Sequence, residues 1–199
     1  MTSLLIATNN RGKMQEIRAL LSDLPFSLVS PEEIGLILAV VEDGKSYREN
    51  AEKKAMAYAR ASGLAALADD SGLEVDALGG DPGLHSARYI SQPGATDADR
   101  RAFLLHNLQG KPQPWLARFR AAVAISLPNG DTGMAEGECR GRIVPEERGT
   151  KGFGYDPIFL VDSIEKTMAE LELQEKNRLS HRGKAVANAR PIILRLLGN

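Results

Sequence analysis

Two adjacent carboxylates, Asp69 and Asp70, stand in "ALADDSGLEV" between an apolar run and a Ser-Gly pair. An ionised carboxylate buried there needs a positive partner, because desolvation penalises unpaired charge. At the C-terminal end of a central strand it suits a hard cation such as Mg²⁺, which takes oxygen ligands and keeps several waters. Successive strand residues point to opposite faces, so only one of the pair faces a ligand unless the strand has ended, and the other serves structure. An Asx-type turn from Asp70 and Ser71 into Gly72 is the alternative. The loop "TNNRGK" places Thr8, Asn10 and Lys13 between a β-prone run and a helix. A helix N-terminus offers free N–H groups and a positive dipole end to phosphate, and Lys13 adds a full charge. The same residues also suit an ordinary capped turn, and the Gly-x-x-x-x-Gly-Lys spacing of a P-loop is missing.

Three further clusters carry polar chemistry. In "YRENAEKKA", the pairs Glu49 with Lys53 and Asn50 with Lys54 fall at i, i+4, which is the pattern of a salt-bridged exposed helix. Glu42 and Asp43 add carboxylates in the loop before it. "GTKGFGYDPIF" sets Phe153 and Tyr155 among glycines, a composition suited to stacking on a planar base, with Asp156 as a hydrogen-bond acceptor. "EKNRLSHRGKA" supplies the donors Lys176, His181 and Arg182. Taken singly, the first of these stretches also reads as a packed hairpin tip and the second as a helix start capped by Ser180. "GGDPGLHSARY" is a Gly-Pro loop that would deliver Ser86 and Arg88 near the aspartates.

The elements that must hold these residues follow from periodicity. "SLLIAT" predicts a strand from Ser3 to Thr8, and Met14, Ile17, Leu20 and Leu21 predict an amphipathic helix from Lys13 to Leu21. "FSLV" predicts a second strand, and "PEEIGLILAVVEDG" reads as a loop with some extended structure. Ser46 with Glu49 has the spacing of a capping box for a helix through Ala61, which Gly63 ends. "LAALA" predicts a central strand that stops at the two aspartates. Asp97 is placed to cap a helix through His106, and "PNGD" between two extended runs predicts a β-hairpin. A last helix runs from about Arg182 to Leu197. Strand and helix alternate in the first half, so an α/β fold with a mixed or antiparallel extension is expected.

Composition narrows the function classes. The 199 residues are 43% hydrophobic, enough to bury a sizeable core in one domain or two joined lobes. The net charge of -1 supplies no whole-molecule field for holding DNA or an anionic membrane, so a polyanionic ligand needs a local basic pocket. The single cysteine, Cys139, fits a reducing compartment, and "MTSLLIATNN" lacks the basic stretch of a secretory signal. With no segment near the roughly 20 apolar residues that cross a bilayer, a cytoplasmic protein without nucleic-acid or membrane partners is expected.

Read in order, Thr8-x-Asn10-x-x-Lys13, "ENAEKKA", "ADDSGL", "GGDPGLHSARY", "GFGYDPIF" and "EKNRLSHRGKA" resemble the inosine triphosphate pyrophosphatase family over Thr8 to about Ala185. The resemblance implies a single domain over residues 1–199, with an elongated mixed β-sheet flanked by helices and two lobes around a central cleft. It implies a homodimeric, Mg²⁺-dependent enzyme that hydrolyses ITP, dITP or XTP to the monophosphate and pyrophosphate, keeping deaminated purines out of DNA and RNA. On matching positions, Asp70 is the catalytic base and Ser71 contacts substrate. Thr8, Asn10, Lys13 and Lys54 bind triphosphate, while Asp70 and Glu42 hold the metal. Phe153, Gly154, Tyr155 and Asp156, with Lys176, His181 and Arg182, hold the base.

Two other classes use similar parts. A pyrophosphatase for modified pyrimidine triphosphates would share the carboxylates, but "SHRG" and "GFGYDP" favour purines. A nucleotide-sensing module would need the phosphate and base contacts without a catalytic carboxylate, and Asp70 weighs against it.

Overall fold

The computed structural model describes residues 2–198. Seven strands are β1 (Ser3–Ile6), β2 (Ser27–Val29), β3 (Ala65–Val75), β4 (Trp115–Ser126), β5 (Thr132–Ile143), β6 (Phe159–Val161) and β7 (Lys166–Thr167). They form one sheet in the order β2-β1-β3-β4-β5-β6-β7. Strands β2 and β3 flank β1 in parallel, whereas β6 pairs antiparallel with β5 and β7, so the sheet is mixed as expected. The helices are α1 (Arg11–Leu21), α2 (Tyr47–Ser62), α3 (Asp97–Leu108), α4 (Leu173–Leu179) and α5 (His181–Leu197).

Local chemistry accounts for the element ends. Asn10 caps α1 by accepting from the Lys13 N–H, and Ser46 caps α2 by accepting from the Glu49 N–H. The expected capping box at Ser46 closes differently, because the Glu49 carboxylate reaches past Ser46 to the Lys45 N–H at 2.7 Å. Gly63 ends α2 at φ 69°, the left-handed conformation that a Cβ disfavours. Thr96, not Asp97, caps α3, in a reciprocal box with Asp99. Ser180 closes α4 as its C-cap, and α5 begins at the next residue.

Two expectations fail for tertiary reasons. The central strand does not stop at the aspartates but runs on to Val75, which excludes the Asx turn. The i, i+4 pairs on α2 do not form, because Lys53 and Lys54 turn to Asp43 and Glu42 in the preceding loop.

The chain divides into two compact units. The first holds the chain up to Asp70, Ala121–Gly137 and the chain from His181 onward; the second holds Ser71–Arg120 and Glu138–Ser180. In the first, Leu4, Ile6, Leu67, Val123 and Ile125 of the sheet pack with Ile17 and Leu21 of α1 and Val186, Ala189 and Ile193 of α5. In the second, Leu73, Phe119, Phe159 and Val161 pack with Leu104 and Leu108 of α3, and the Phe119 and Phe159 rings lie 4.7 Å apart. Each fully buried large side chain contributes about 1.5–3 kcal/mol, so each core forms a firm base for the loops above it.

Candidate active site

In the first unit a polar cluster forms around the end of its β3 segment. The Asp69 carboxylate meets Lys13 Nζ at 2.6 Å and Arg182 Nη2 at 3.3 Å. Arg182 Nη1 also donates to Glu16 at 2.5 Å, and the guanidinium is 2% exposed. Burial alone would push the Asp69 carboxyl up, but Arg182 and Lys13 outweigh it and hold the group well below the usual carboxylate range. Burial pulls Arg182 the other way, and Asp69 and Glu16 outweigh it there, so the guanidinium stays charged. This is a locked ionic core.

Asp70 sits in a different environment one residue later. Its Oδ2 accepts from Asn50 Nδ2 of α2 at 3.1 Å. Burial raises its carboxyl above the ordinary aspartate range, helped by Glu42 and opposed by Lys13, Lys54 and the Asn50 amide. Lys54 donates to the Asp69 carbonyl at 3.2 Å and pairs with Glu42. Lys13 also reaches that carbonyl, at a longer 3.5 Å. Thr8 Oγ1 accepts from the Asn10 N–H at 3.1 Å, which shapes the loop into α1. His181 and Arg182 lie in the first turn of α5, and the His181 charge also acts on Asp69.

The first unit thus gathers Lys13, Lys54, Glu42, Asp70, His181 and Arg182. Two further residues of the cluster, Glu16 and Asn50, are not marked as site residues by the sequence. Glu16 lies one turn beyond Lys13 and is 3% exposed, although it stands among apolar residues of α1, where an acidic side chain signals a buried partner. Asn50 is 1% exposed, and its signal is the amide four residues before Lys54.

The second unit gathers Phe153, Gly154, Tyr155, Asp156 and Lys176. Lys176 Nζ pairs with Asp156 Oδ2 at 2.5 Å and lies 4.9 Å from the centroid of the Phe153 ring. The same Asp156 oxygen accepts from the Phe153 N–H at 2.8 Å, so the loop is tied to itself. A Cβ at Gly152, where φ is 75°, would fall 2.1 Å from that oxygen, and only glycine fits. The buried Tyr155 hydroxyl donates to the Ser86 carbonyl at 2.9 Å, and burial pushes its phenol up. Ser86 Oγ in turn accepts from the Leu73 N–H of β3, whereas Arg88 is exposed. Ser71 is half-buried at the start of this unit.

The donor set of the first cluster fits a hard divalent cation. Glu16, Glu42, Asp69 and Asp70 are four carboxylates beside Lys13, Lys54, Arg182 and His181, so the positive charges of the cluster are already matched within it. A polyphosphate gains little there until another positive charge is added. Among the described residues, no three His, Cys, Asp or Glu side chains group closely enough to hold an ion alone. Mg²⁺ is commonly held by one or two carboxylates plus substrate phosphates, which Asp70 and Glu42 match.

A sequence profile of the Ham1 family matches residues 4–192. The chain is 48% identical over 194 residues to a dITP/XTP pyrophosphatase of Desulforamulus reducens, covering 97% of this chain and 96% of that one. It is 50% identical over 188 residues to a dITP/XTP pyrophosphatase of Geobacter sulfurreducens, covering 94% of each. A solved HAM1 protein from Coxiella burnetii shares the fold at TM-score 0.87 and 38% identity, over 98% of this chain and 100% of that one. The Ham1 protein of Staphylococcus aureus does so at TM-score 0.84 and 34% identity, over 98% of this chain and 100% of that one.

Proposed function

The chain belongs to the Ham1 family, and from that premise we infer that it hydrolyses deaminated purine nucleoside triphosphates, ITP, dITP and XTP, to the monophosphate and pyrophosphate. The observation that carries this reading is 48% identity over nearly the full length to a dITP/XTP pyrophosphatase, joined to a buried carboxylate, Asp70, set among two lysines and an amide. Its biological result is removal of these nucleotides before they enter DNA or RNA.

Asp70 is the catalytic base. A carboxyl raised by burial accepts a proton more readily than an exposed one, and it orients or deprotonates the water that attacks the α-phosphorus. The bond from that phosphorus to the bridging oxygen breaks, and pyrophosphate leaves. Thr8, Asn10, Lys13 and Lys54 hold the triphosphate, with the N-terminus of α1 aiming N–H groups at it. The Asp69 contacts fix Lys13 and Lys54 in advance, so little reorganisation is needed as negative charge develops. A divalent metal, which we take to be Mg²⁺ held by Asp70 and Glu42, would neutralise phosphate charge. Ser71 contacts substrate. Phe153, Gly154, Tyr155 and Asp156, with Lys176 and His181, recognise the base by stacking and by donors to its 6-oxo group, and Arg182, engaged by Asp69 and Glu16, serves the set through its charge rather than as a donor to the base. Adenine presents an amino donor there, and a donor facing a donor is strongly rejected.

The resemblance also implies a homodimer, which we propose for this chain. No helix among the described residues is long and apolar enough to cross a membrane, in keeping with the cytoplasmic setting we propose.

Pyrophosphate release tests the reading across ITP, dITP, XTP, GTP, ATP and a pyrimidine triphosphate. Release is expected mainly from the first three, with GTP weak and a chelator abolishing all of it. Comparable rates on GTP and ITP would overturn the specificity, and silence on every nucleotide by folded protein would overturn the enzyme reading.

A further inference from the structure

Gly154 is gripped at both of its peptide groups by helix α3. Its N–H donates to Asp97 Oδ2 at 2.7 Å, and its carbonyl accepts from Arg101 Nη1 at 2.8 Å. Both grips are themselves braced. The other Asp97 oxygen accepts from Arg100 Nη2 at 2.5 Å. The Arg101 Nε and Nη2 donors meet the two Glu147 oxygens at 2.8 and 3.0 Å, a bidentate geometry that fixes the guanidinium plane.

Gly154 has φ 62°, and Gly149 and Gly152 are also left-handed. Such a glycine-rich loop has more backbone freedom to lose than any other sequence, so its shape depends on anchors outside itself. Fixing a residue at both its N–H and its carbonyl sets the orientation of the residues on either side. Here those are Phe153, whose ring lies beside Lys176, and Tyr155, whose hydroxyl is tied to Ser86.

We propose that Asp97 and Arg101 are positioning residues for base recognition, acting through Gly154 to hold Phe153 and Asp156 where a purine is read. The proposal rests on the base-reading role given above to the Phe153–Asp156 loop. Rejecting a near-isostere such as guanine needs a pocket that does not yield, so loosening the loop costs discrimination as well as affinity.

The test is steady-state kinetics of Asp97→Ala and Arg101→Met in the full chain with Mg²⁺. KM for ITP is expected to rise about tenfold, the ratio that follows from losing one hydrogen bond to a charged group. The kcat stays near wild type, and GTP gains on ITP in kcat/KM. Inhibition by inorganic tripolyphosphate, which has no base, stays unchanged, while the melting temperature falls only by the few degrees that a lost hydrogen bond removes. Arg101→Lys, which keeps the charge but not the planar fork, recovers part of the ITP affinity. If either variant folds poorly, Asp97→Asn and Arg101→Lys are read in its place.

Phe153→Ala separates the outcomes. A raised KM in Phe153→Ala with unchanged KM in the α3 variants overturns the positioning role and leaves the loop reading intact. An unchanged KM and ITP/GTP ratio in Phe153→Ala overturns the loop reading, and the positioning role falls with it. Equal losses of ITP turnover, tripolyphosphate affinity and melting temperature in the α3 variants would make the contacts general scaffolding and also overturn the proposal.

Discussion

Asp70→Asn is expected to lower kcat for ITP by roughly 10²–10⁴-fold, the range for loss of a general base, while the free protein melts higher than wild type. The two effects share one cause. Burial raises the Asp70 carboxyl, so ionising it costs folding free energy. A group with a raised folded value contributes stability that is fully present below its unfolded value and is lost as pH rises through the folded one. At neutral pH the wild type therefore carries a charge that its fold disfavours, and the neutral amide removes that cost. Asparagine keeps the shape, and its Oδ1 can still accept from Asn50 Nδ2. The gain should shrink as both proteins are melted at progressively lower pH and Asp70 takes up its proton. Calorimetry across pH beside a pyrophosphate-release assay checks both halves. Turnover within a few-fold of wild type, or a variant that melts lower at neutral pH, would remove Asp70 from the role of base.

How far this site was legible in sequence depends on the distance between partners. Helices α1 and α2 followed from apolar spacing and from caps within four residues, and Gly63 marked a stop visible in one letter. The end of β3 is not legible because Asp-Asp-Ser-Gly has turn chemistry, and nothing local says that the carboxylates will be compensated inside a strand. Their partners come from far along the chain, Lys13 at a separation of 56 residues and Arg182 at 113. The same holds on α2. The i, i+4 rule describes an isolated helix, but Lys53 and Lys54 found loop carboxylates instead. Helix α4, only seven residues long, carries a buried lysine on a stretch with no helical stripe to reveal it. Motif order singles out the candidate residues; the charge ledger that organises them is tertiary.

Asp69 should behave in the opposite way to its neighbour, and Asp69→Ala is expected to cost roughly 3–5 kcal/mol of unfolding free energy by leaving buried Arg182 half-compensated. Glu16 alone then faces a guanidinium that is 2% exposed. The pH signature is also reversed. Arg182 and Lys13 hold the Asp69 carboxyl low despite burial, so its stabilisation is present above the unfolded value and fades as pH falls through the folded one. Urea unfolding from neutral to acid pH should show the wild-type advantage over Asp69→Asn shrinking toward the acid end. Pairing Asp69→Ala with Arg182→Met gives a double-mutant cycle, and the pair should lose less than the sum of the single changes. Lys13 leans on this carboxylate, so turnover falls too, but here it falls together with stability, whereas Lys54 keeps its contact with the backbone carbonyl. Asp70→Asn should separate those two quantities, and Asp69→Ala should not. A loss below about 1 kcal/mol with unchanged acid dependence would show that the ionic core is a passenger. The larger loss would mean that the strand spends one carboxylate on holding its cations still so that the next can act on water.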